Sequence, residues 1–249
     1  MKTYIVANWK MYLNAEESFK TAQHIKDNLR QRDNVELIVC PNALAFNGVR
    51  DILKDSVSYG AQNVAWTPLG AYTGAISALL FYQDGARYAL VGHSERRYIF
   101  GEDNEAVRKK MNACIDTGLI PILCIGETHD DKEEDKQEYR IKKQLMKALE
   151  GLDLQGIVPL VAYEPVWAIS NFGVGQPCNP EYANNMHAVI KKELTQYTDA
   201  DIPVLYGGGV DNNNIASYVA REHIDGVLVG SASTNGHVLL DLIEKAGQC

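Results

Sequence analysis

The chain has 249 residues, of which 46% are hydrophobic, so it is long enough to bury a substantial core. Its 24 basic and 32 acidic residues give a net charge of -8, and they form no basic stripe. This balance argues against binding to nucleic acid or to an anionic membrane. No segment of the sequence is long and apolar enough to span a bilayer.

The cysteine and histidine patterns exclude two further classes of protein. The cysteines are widely spaced, odd in number and free of C-x-x-C pairs, and they are Cys40, Cys114, Cys124, Cys178 and Cys249. Such a pattern is typical of reduced thiols. The six histidines are scattered and form no cluster with cysteine, so we expect no metal. The chain starts on a strand-like run without a signal peptide, and we expect a cytoplasmic protein.

Short apolar runs rich in β-formers recur along the whole chain. They cover residues 4–7, 36–40, 58–62, 88–92, 120–125, 160–163, 204–206 and 226–229. Segments with helical periodicity lie between them. Within residues 130–150, Ile141, Leu145 and Leu149 recur four positions apart amid charges, which predicts an amphipathic helix. Asp211 and Asn212 are predicted caps of a later helix.

Eight strand runs that alternate with helical segments predict parallel βαβ units. Their continuous apolar character suits strands that are covered on both faces. Because eight such units in about 250 residues match the size of a (β/α)8 barrel, the sequence predicts a single TIM barrel over residues 1–249. A doubly wound open sheet is the alternative, and the absence of a G-x-G-x-x-G turn after the first strand weakens its dinucleotide-binding form.

Polar residues and glycines follow the predicted strands, which is where a barrel carries its active site. In strand order they are Asn8-Trp9-Lys10, Asn63, His93-Ser94-Glu95-Arg96-Arg97, Glu127, Glu164, Gly207-Gly208-Gly209 and Gly230-Ser231. The segments that precede the strands are blander. The sequence therefore predicts a catalytic site at the carboxyl ends of the strands.

Glu164 follows an apolar strand that Pro165 ends, so we expect a buried carboxylate with a raised pKa that acts as a base toward a C–H bond. A carbon acid also needs an electrophile and a cation. His93 is the predicted electrophile, because amides at the start of a helix over residues 94–97 favour a neutral ring. Lys10 is the predicted cation, which attracts an anionic substrate and stabilises an enolate.

The glycine turns after the seventh and eighth strands match the phosphate-binding position of a barrel, where free backbone N–H groups bind an anion. Glycines at these places also serve as simple turns. Residues 169–178, which are rich in glycine and small side chains, follow the predicted base. They suit a lid that closes over substrate and excludes water, or an ordinary connection to the next helix.

Taken together, these motifs resemble the triosephosphate isomerase family over essentially the whole chain. The matching motifs are Asn8-Trp9-Lys10-Met11, Gly60-Ala61-Gln62-Asn63-Val64, Val91-Gly92-His93-Ser94-Glu95-Arg96-Arg97, Cys124-Ile125-Gly126-Glu127, Tyr163-Glu164-Pro165-Val166-Trp167-Ala168-Ile169 and Tyr206-Gly207-Gly208. That family consists of cytosolic, usually homodimeric barrels. They interconvert dihydroxyacetone phosphate and glyceraldehyde 3-phosphate without metal or coenzyme.

The resemblance implies Glu164 as the proton acceptor and His93 as the electrophile, and a Glu base with a neutral His is that family's known pairing. It implies Lys10 as the substrate-binding cation. It also implies that Asn8 orients substrate oxygens and that Glu95 supports Lys10. By the same resemblance, the phosphate of a small sugar substrate is held at Gly173, Gly209, Gly230 and Ser231. The loop around Thr73 corresponds to the family's dimer loop.

The departures from the family pattern cluster at the lid and the phosphate loops. Ser170, Asn171 and Phe172 are inserted, and Gln176 stands where the family usually has Lys. Gly209 replaces a Ser, Ser231 replaces a Gly, and Ala75 stands where a Glu is common. The altered lid keeps two alternatives open, namely the same chemistry on a larger substrate such as a tetrulose phosphate, and a barrel that has lost catalysis and serves in binding.

Overall fold

The computed structural model describes residues 2–154, 156–169 and 178–248. Its centre is a closed barrel of eight parallel strands, in which each strand pairs with its neighbours in sequence and β8 returns to β1. The strands are β1 Thr3–Asn8, β2 Val35–Cys40, β3 Ser58–Ala61, β4 Tyr88–Val91, β5 Ile120–Ile125, β6 Leu160–Tyr163, β7 Val204–Tyr206 and β8 Gly226–Val229. The barrel prediction is confirmed, and the open-sheet alternative is wrong.

Helices alternate with the strands and cover the outside of the barrel. Those in the described residues are α1 Ala15–Asn28, α2 Phe46–Leu53, α3 Ala78–Gln83, α4 Ser94–Tyr98, α5 Asn104–Thr117, α6 His129–Glu133, α7 Gln137–Leu149, α8 Pro180–Leu194, α9 Ile215–Val219 and α10 Gly236–Ala246. Short 3-10 turns occupy Lys54–Ser56, Val166–Ala168 and Ser231–Thr234. No helix in this described part of the chain combines the length and apolar character that crossing a membrane requires.

Two apolar layers explain why the strand sequences are apolar without alternation. Successive side chains of a strand point to opposite faces. One face fills the barrel interior with Val6, Ile38, Cys40, Tyr88, Leu90, Ile122, Cys124, Leu160, Ala162, Leu205 and Leu228. The other face packs against the helices, as Ile5 and Ala7 do on β1. Both faces are therefore buried, as the sequence indicated.

A glycine allows the barrel to close between β8 and β1. Gly226 begins β8 with a φ of 157°, and a Cβ at this position would lie 2.1 Å from the carbonyl oxygen of Tyr4. Only a residue without a side chain permits the two strands to approach this closely. Because all eight strands are parallel, their carboxyl ends lie at one end of the barrel.

Two helix predictions need correction in detail. The predicted helix within residues 130–150 is divided into α6 and α7, because Asp135 adopts a φ of 53° between them. Asp211 accepts backbone N–H groups from Asn213 and Asn214, as a cap would, but it caps a turn that precedes α9. The prediction of Asn212 as a cap of α9 is wrong, because Asn214 is the residue that precedes this helix.

Candidate active site

A small cleft of about 70 Å³ opens at the carboxyl ends of the strands. It brings together the candidates from five strand ends, which are Asn8, Lys10, His93, Glu164, Gly209, Gly230 and Ser231. The cleft also includes Ile169 from the predicted lid segment, and residues that sequence reasoning did not select, which are Tyr12, Val210 and Leu228. Gly173, the inserted residues 170–172 and Gln176 lie outside the described residues.

Glu164 lies at the bottom of this cleft and is only 3% exposed. Its backbone N–H donates to the carbonyl oxygen of Ile125 at 2.7 Å, which joins the end of β6 to β5. Oε1 lies 3.1 Å from Nε2 of His93, and Oε2 accepts the backbone N–H of Ser94 at 3.0 Å. Both oxygens of the carboxylate are therefore held from the β4 side of the barrel.

The pKa of Glu164 shifts in the direction opposite to the one we expected. Burial on its own raises the pKa, but the charge of a protonated His93 ring, the hydrogen bonds from His93 and the Ser94 amide, and the Lys10 ammonium together lower it below its ordinary value of 4.5. Hydrogen bonds and positive charge favour the ionised form of a carboxyl group. The expectation of a raised pKa for Glu164 is wrong. The sequence could not predict the lowering, because residues 164 and 94 are distant in sequence and their hydrogen bond leaves no local signal.

The position of His93 at the start of a helix favours a neutral ring. His93 is the N-cap of α4, and its Nδ1 accepts the backbone N–H of Glu95 at 3.2 Å. A ring nitrogen that accepts a hydrogen bond carries no proton, so we assign the proton to Nε2 from this contact. His93 is 5% exposed, and its Nε2–H group points at Glu164.

Lys10 occupies a backbone conformation that is uncommon for a residue with a side chain, with a φ of 50°. Two side chains stabilise this conformation: Asn8 Oδ1 accepts the Lys10 N–H at 3.2 Å, and Gln62 Nε2 donates to the Lys10 carbonyl at 2.9 Å. The ammonium then reaches Glu95, with Nζ and Oε1 2.7 Å apart. Glu95 thus contacts Lys10 without lining the cleft itself.

The glycine turns form the wall of the cleft that faces these groups. At Gly207 a Cβ would lie 2.8 Å from Cγ of Glu164, and at Gly230 it would lie 3.1 Å from Cε of Lys10. A 3-10 turn begins at Ser231, where the first backbone N–H groups of a helix have no partner within it. The turns after β7 and β8 therefore allow the backbone to approach both charged side chains closely.

Two polar residues that follow strands lie away from the cleft. Glu127 is fully buried, and its Oε1 accepts Tyr163 Oη–H at 2.9 Å and Trp167 Nε1–H at 2.8 Å. Burial raises the pKa of Glu127 above its ordinary value of 4.5. Asn63 instead accepts Nζ of Lys110 at 2.7 Å. These two residues form hydrogen bonds with other parts of the chain and do not face the cleft.

Within the described residues, no three His, Cys, Asp or Glu side chains converge as metal ligands would. The four described cysteines are buried thiols without disulfide partners.

Comparison with known proteins agrees with this architecture. The family model described as triosephosphate isomerase matches residues 3–246. The chain belongs to the triosephosphate isomerase family. It is therefore an enzyme of the intramolecular oxidoreductase class.

Curated relatives named triosephosphate isomerase match the chain over nearly its full length. The protein from Dictyoglomus thermophilum is 37% identical, over 97% of this chain and 98% of the relative. The protein from Trichodesmium erythraeum is 39% identical over 94% and 95%, and that from Symbiobacterium thermophilum is 40% identical over 94% and 93%. The triosephosphate isomerase likeness thus extends over all eight strands.

Proposed function

We propose that this protein interconverts dihydroxyacetone phosphate and D-glyceraldehyde 3-phosphate by proton transfer through an enediolate. Its family and the names of its relatives support this substrate pair. The observation that carries the chemistry is the contact of 3.1 Å between Glu164 Oε1 and His93 Nε2, within a cleft that Lys10 also lines.

In the proposed reaction, Glu164 takes a proton from the carbon beside the substrate carbonyl. The electron pair of that C–H bond forms the C=C bond of the enediolate, and the former carbonyl oxygen becomes negative. His93 donates Nε2–H to this oxygen, and the Lys10 ammonium stabilises its charge. After a proton has moved between the two oxygens, Glu164 returns its proton to the neighbouring carbon.

Substrate must displace contacts that Glu164 makes in the structure. One carboxylate oxygen lies against His93 and the other accepts the Ser94 N–H. Since a base needs a free lone pair and His93 needs a free donor, substrate enters between these two side chains. The lowered pKa keeps Glu164 ionised until that exchange takes place.

The substrate phosphate is proposed to bind at Gly209, Gly230 and Ser231, with Gly173 as a further prediction. Backbone N–H donors at the start of the Ser231–Thr234 turn support this location. Asn8 is proposed to orient the substrate oxygens, and Glu95 to hold Lys10 in place. Replacement of side chains in these loops leaves such backbone donors unchanged.

Turnover of glyceraldehyde 3-phosphate by purified protein, with Glu164→Gln as the paired variant, tests the proposal. We expect turnover by the wild type and a kcat lower by about 10²- to 10⁴-fold in the variant, with little change in KM. Background-level turnover by folded wild type would reject the function. Equal activity of the two proteins would mean that a contaminant or another base is responsible.

The alternative is the same chemistry on a larger phosphoketose, such as a tetrulose phosphate. It is favoured by the inserted residues 170–172 and by Ser231 in place of the usual Gly. Comparison of kcat/KM for triose and tetrulose phosphates decides between the two, and a clear triose preference excludes the alternative. A binding protein without catalysis is less well supported, because Lys10, His93 and Glu164 are all retained.

We further propose a homodimer that forms through the loop around Thr73. A groove of about 540 Å³ includes Thr73, Arg96 and Ala43, the residue before Leu44. Met11 and Leu44 are each 94% exposed. Extensive exposed apolar surface is typical of an interface. Sedimentation equilibrium on the wild type and on Met11→Glu tests this, with dimer and weakened dimer as the expected results.

We also propose a cytoplasmic location, where disulfides are rare, and the four described cysteines, which are free and buried, support it.

A further inference from the structure

Gln144 is a buried polar residue for which the proposed mechanism has no use. It lies on α7 and is 4% exposed. Its carboxamide makes two hydrogen bonds to the backbone of one residue: Nε2 donates to the Gly126 carbonyl at 3.2 Å, and Oε1 accepts the Gly126 N–H at 2.9 Å. Gly126 follows the last residue of β5, so Gln144 supplies both partners at the point where the strand ends.

Gly126 in turn contacts the backbone of the proposed base. A Cβ on Gly126 would lie 1.8 Å from the carbonyl oxygen of Glu164 and 2.6 Å from its carbonyl carbon. No side chain fits into so short a distance. The backbone of Gly126 therefore contacts the Gln144 carboxamide through its polar groups and the Glu164 peptide through its Cα.

Further hydrogen bonds connect the same two segments on either side of this contact. Glu164 N–H donates to Ile125 at 2.7 Å, and Val166 N–H donates to the carbonyl of Glu127 at 3.0 Å. Residues 125–127 and 164–166 are thus joined before, at and after Gly126. A shift of Gly126 moves Glu164, and a displacement of about 1 Å can lower a rate by about 100-fold.

We propose that Gln144 is a positioning residue for this reaction, because its carboxamide holds Gly126 against the peptide of Glu164. This proposal rests on the proposed function, since it concerns the same base. Gln144 lies outside all the sequence motifs of the site. Its side chain touches neither the substrate nor the reacting atoms.

Three variants test the proposal. Gln144→Leu removes both hydrogen bonds, and we expect kcat to fall by about 10- to 100-fold while KM changes little, since substrate contacts are kept. Ala148→Gly, which is buried one turn further along the same helix and removes no polar group, serves as the control for lost stability. It should keep the wild-type kcat.

Gln144→Glu separates positioning from a structural role. A protonated carboxyl has the same donor and acceptor pattern as the carboxamide, whereas an ionised carboxylate places a second acceptor against the Gly126 carbonyl. The ratio of variant to wild-type kcat should therefore rise as pH falls, while Gln144→Leu should show a constant ratio. This readout remains available if Gln144→Leu fails to fold.

The positioning role alone would be overturned if a folded Gln144→Leu variant of an active wild type kept the wild-type kcat. It would also be overturned if Gln144→Glu lowered kcat by the same factor at every pH. A wild type without isomerase turnover would instead overturn the proposed function. The two failures are thus distinguished by the wild-type measurement.

Discussion

The His93 Nε2 nitrogen lies 3.1 Å from Oε1 of Glu164, so the proposed electrophile and the proposed base contact each other directly. The neighbouring Ser94 N–H takes the other carboxylate oxygen at 3.0 Å. One short segment after β4 therefore contacts both oxygens of a carboxylate that follows β6.

The pH dependence of kcat/KM should show this contact. Glu164 works as a carboxylate, and its pKa is below the ordinary value of 4.5, so activity should persist below that pH and be lost as pH falls through the lowered pKa. His93→Leu removes a donor and should raise this pKa. Carbon NMR of labelled glutamate in both proteins measures the change, and an unmoved or lowered Glu164 titration would contradict the assignment.

Replacement of Lys10 by Met should lower kcat by about 10²- to 10³-fold, the usual cost of losing one group that stabilises a developing oxyanion. The variant also leaves Glu95 without the ammonium that lies 2.7 Å away. Lys20→Met, at an exposed position on α1, is the matched control and should behave as wild type. Steady-state kinetics of both variants measure the effect, and equal rates would remove Lys10 from the mechanism.

Replacement of Gly207 by Ala should displace the side chain of Glu164 by steric contact. The backbone of Gly207 lies outside the left-handed region, but the added Cβ would be 2.8 Å from Cγ of Glu164 and 3.3 Å from the Tyr163 carbonyl. We expect kcat to fall about tenfold or more, because the base is displaced. Kinetics together with a thermal melt distinguish this from general unfolding, and a folded variant with wild-type kcat would show that Glu164 adapts.

The sequence predicted the architecture because strands buried on both faces leave a strong apolar signal, as Val6 and Ala7 do on opposite faces of β1. It also predicted polar residues after the strands, of which Asn63 and Glu127 lie away from the cleft. Position after a buried strand does not by itself distinguish Glu127 from Glu164, and Glu164 was selected as the base by the adjacent Pro165 and by the family resemblance. Their difference arises from partners that are distant in sequence: Glu127 meets Tyr163 and Trp167, whereas Glu164 meets His93.

Local backbone conformation was the second feature that the sequence did not predict. The apolar repeat of Ile141, Leu145 and Leu149 indicated a helix, but nothing in that repeat marks the left-handed residue Asp135 that divides α6 from α7. Gln144 within this helix reads as an ordinary polar residue. Its burial follows only from the position of α7 against the end of β5.

Glu127→Gln should stabilise the protein in a manner that depends on pH. Burial raises the folded-state pKa of Glu127, so the folded protein binds a proton more readily than the unfolded chain does, and stability is lost as pH rises from the ordinary value of 4.5 through the raised pKa. In the described residues its Oε2 has no hydrogen-bond partner, and the Gln oxygen can still accept from Tyr163 and Trp167.

The free energy of unfolding of Glu127→Gln relative to wild type should therefore increase with pH, by about 1.4 kcal/mol for each unit by which the pKa is raised. Below the ordinary pKa the difference should become constant, because both proteins then carry an uncharged group at this position. Urea unfolding across this range measures it, with exposed Glu222→Gln as the control. If this difference in free energy of unfolding stayed constant or shrank as pH rises, ionisation of Glu127 would not destabilise the folded protein. The hydrogen bonds from Tyr163 and Trp167 would then fully offset the effect of burial on the carboxylate.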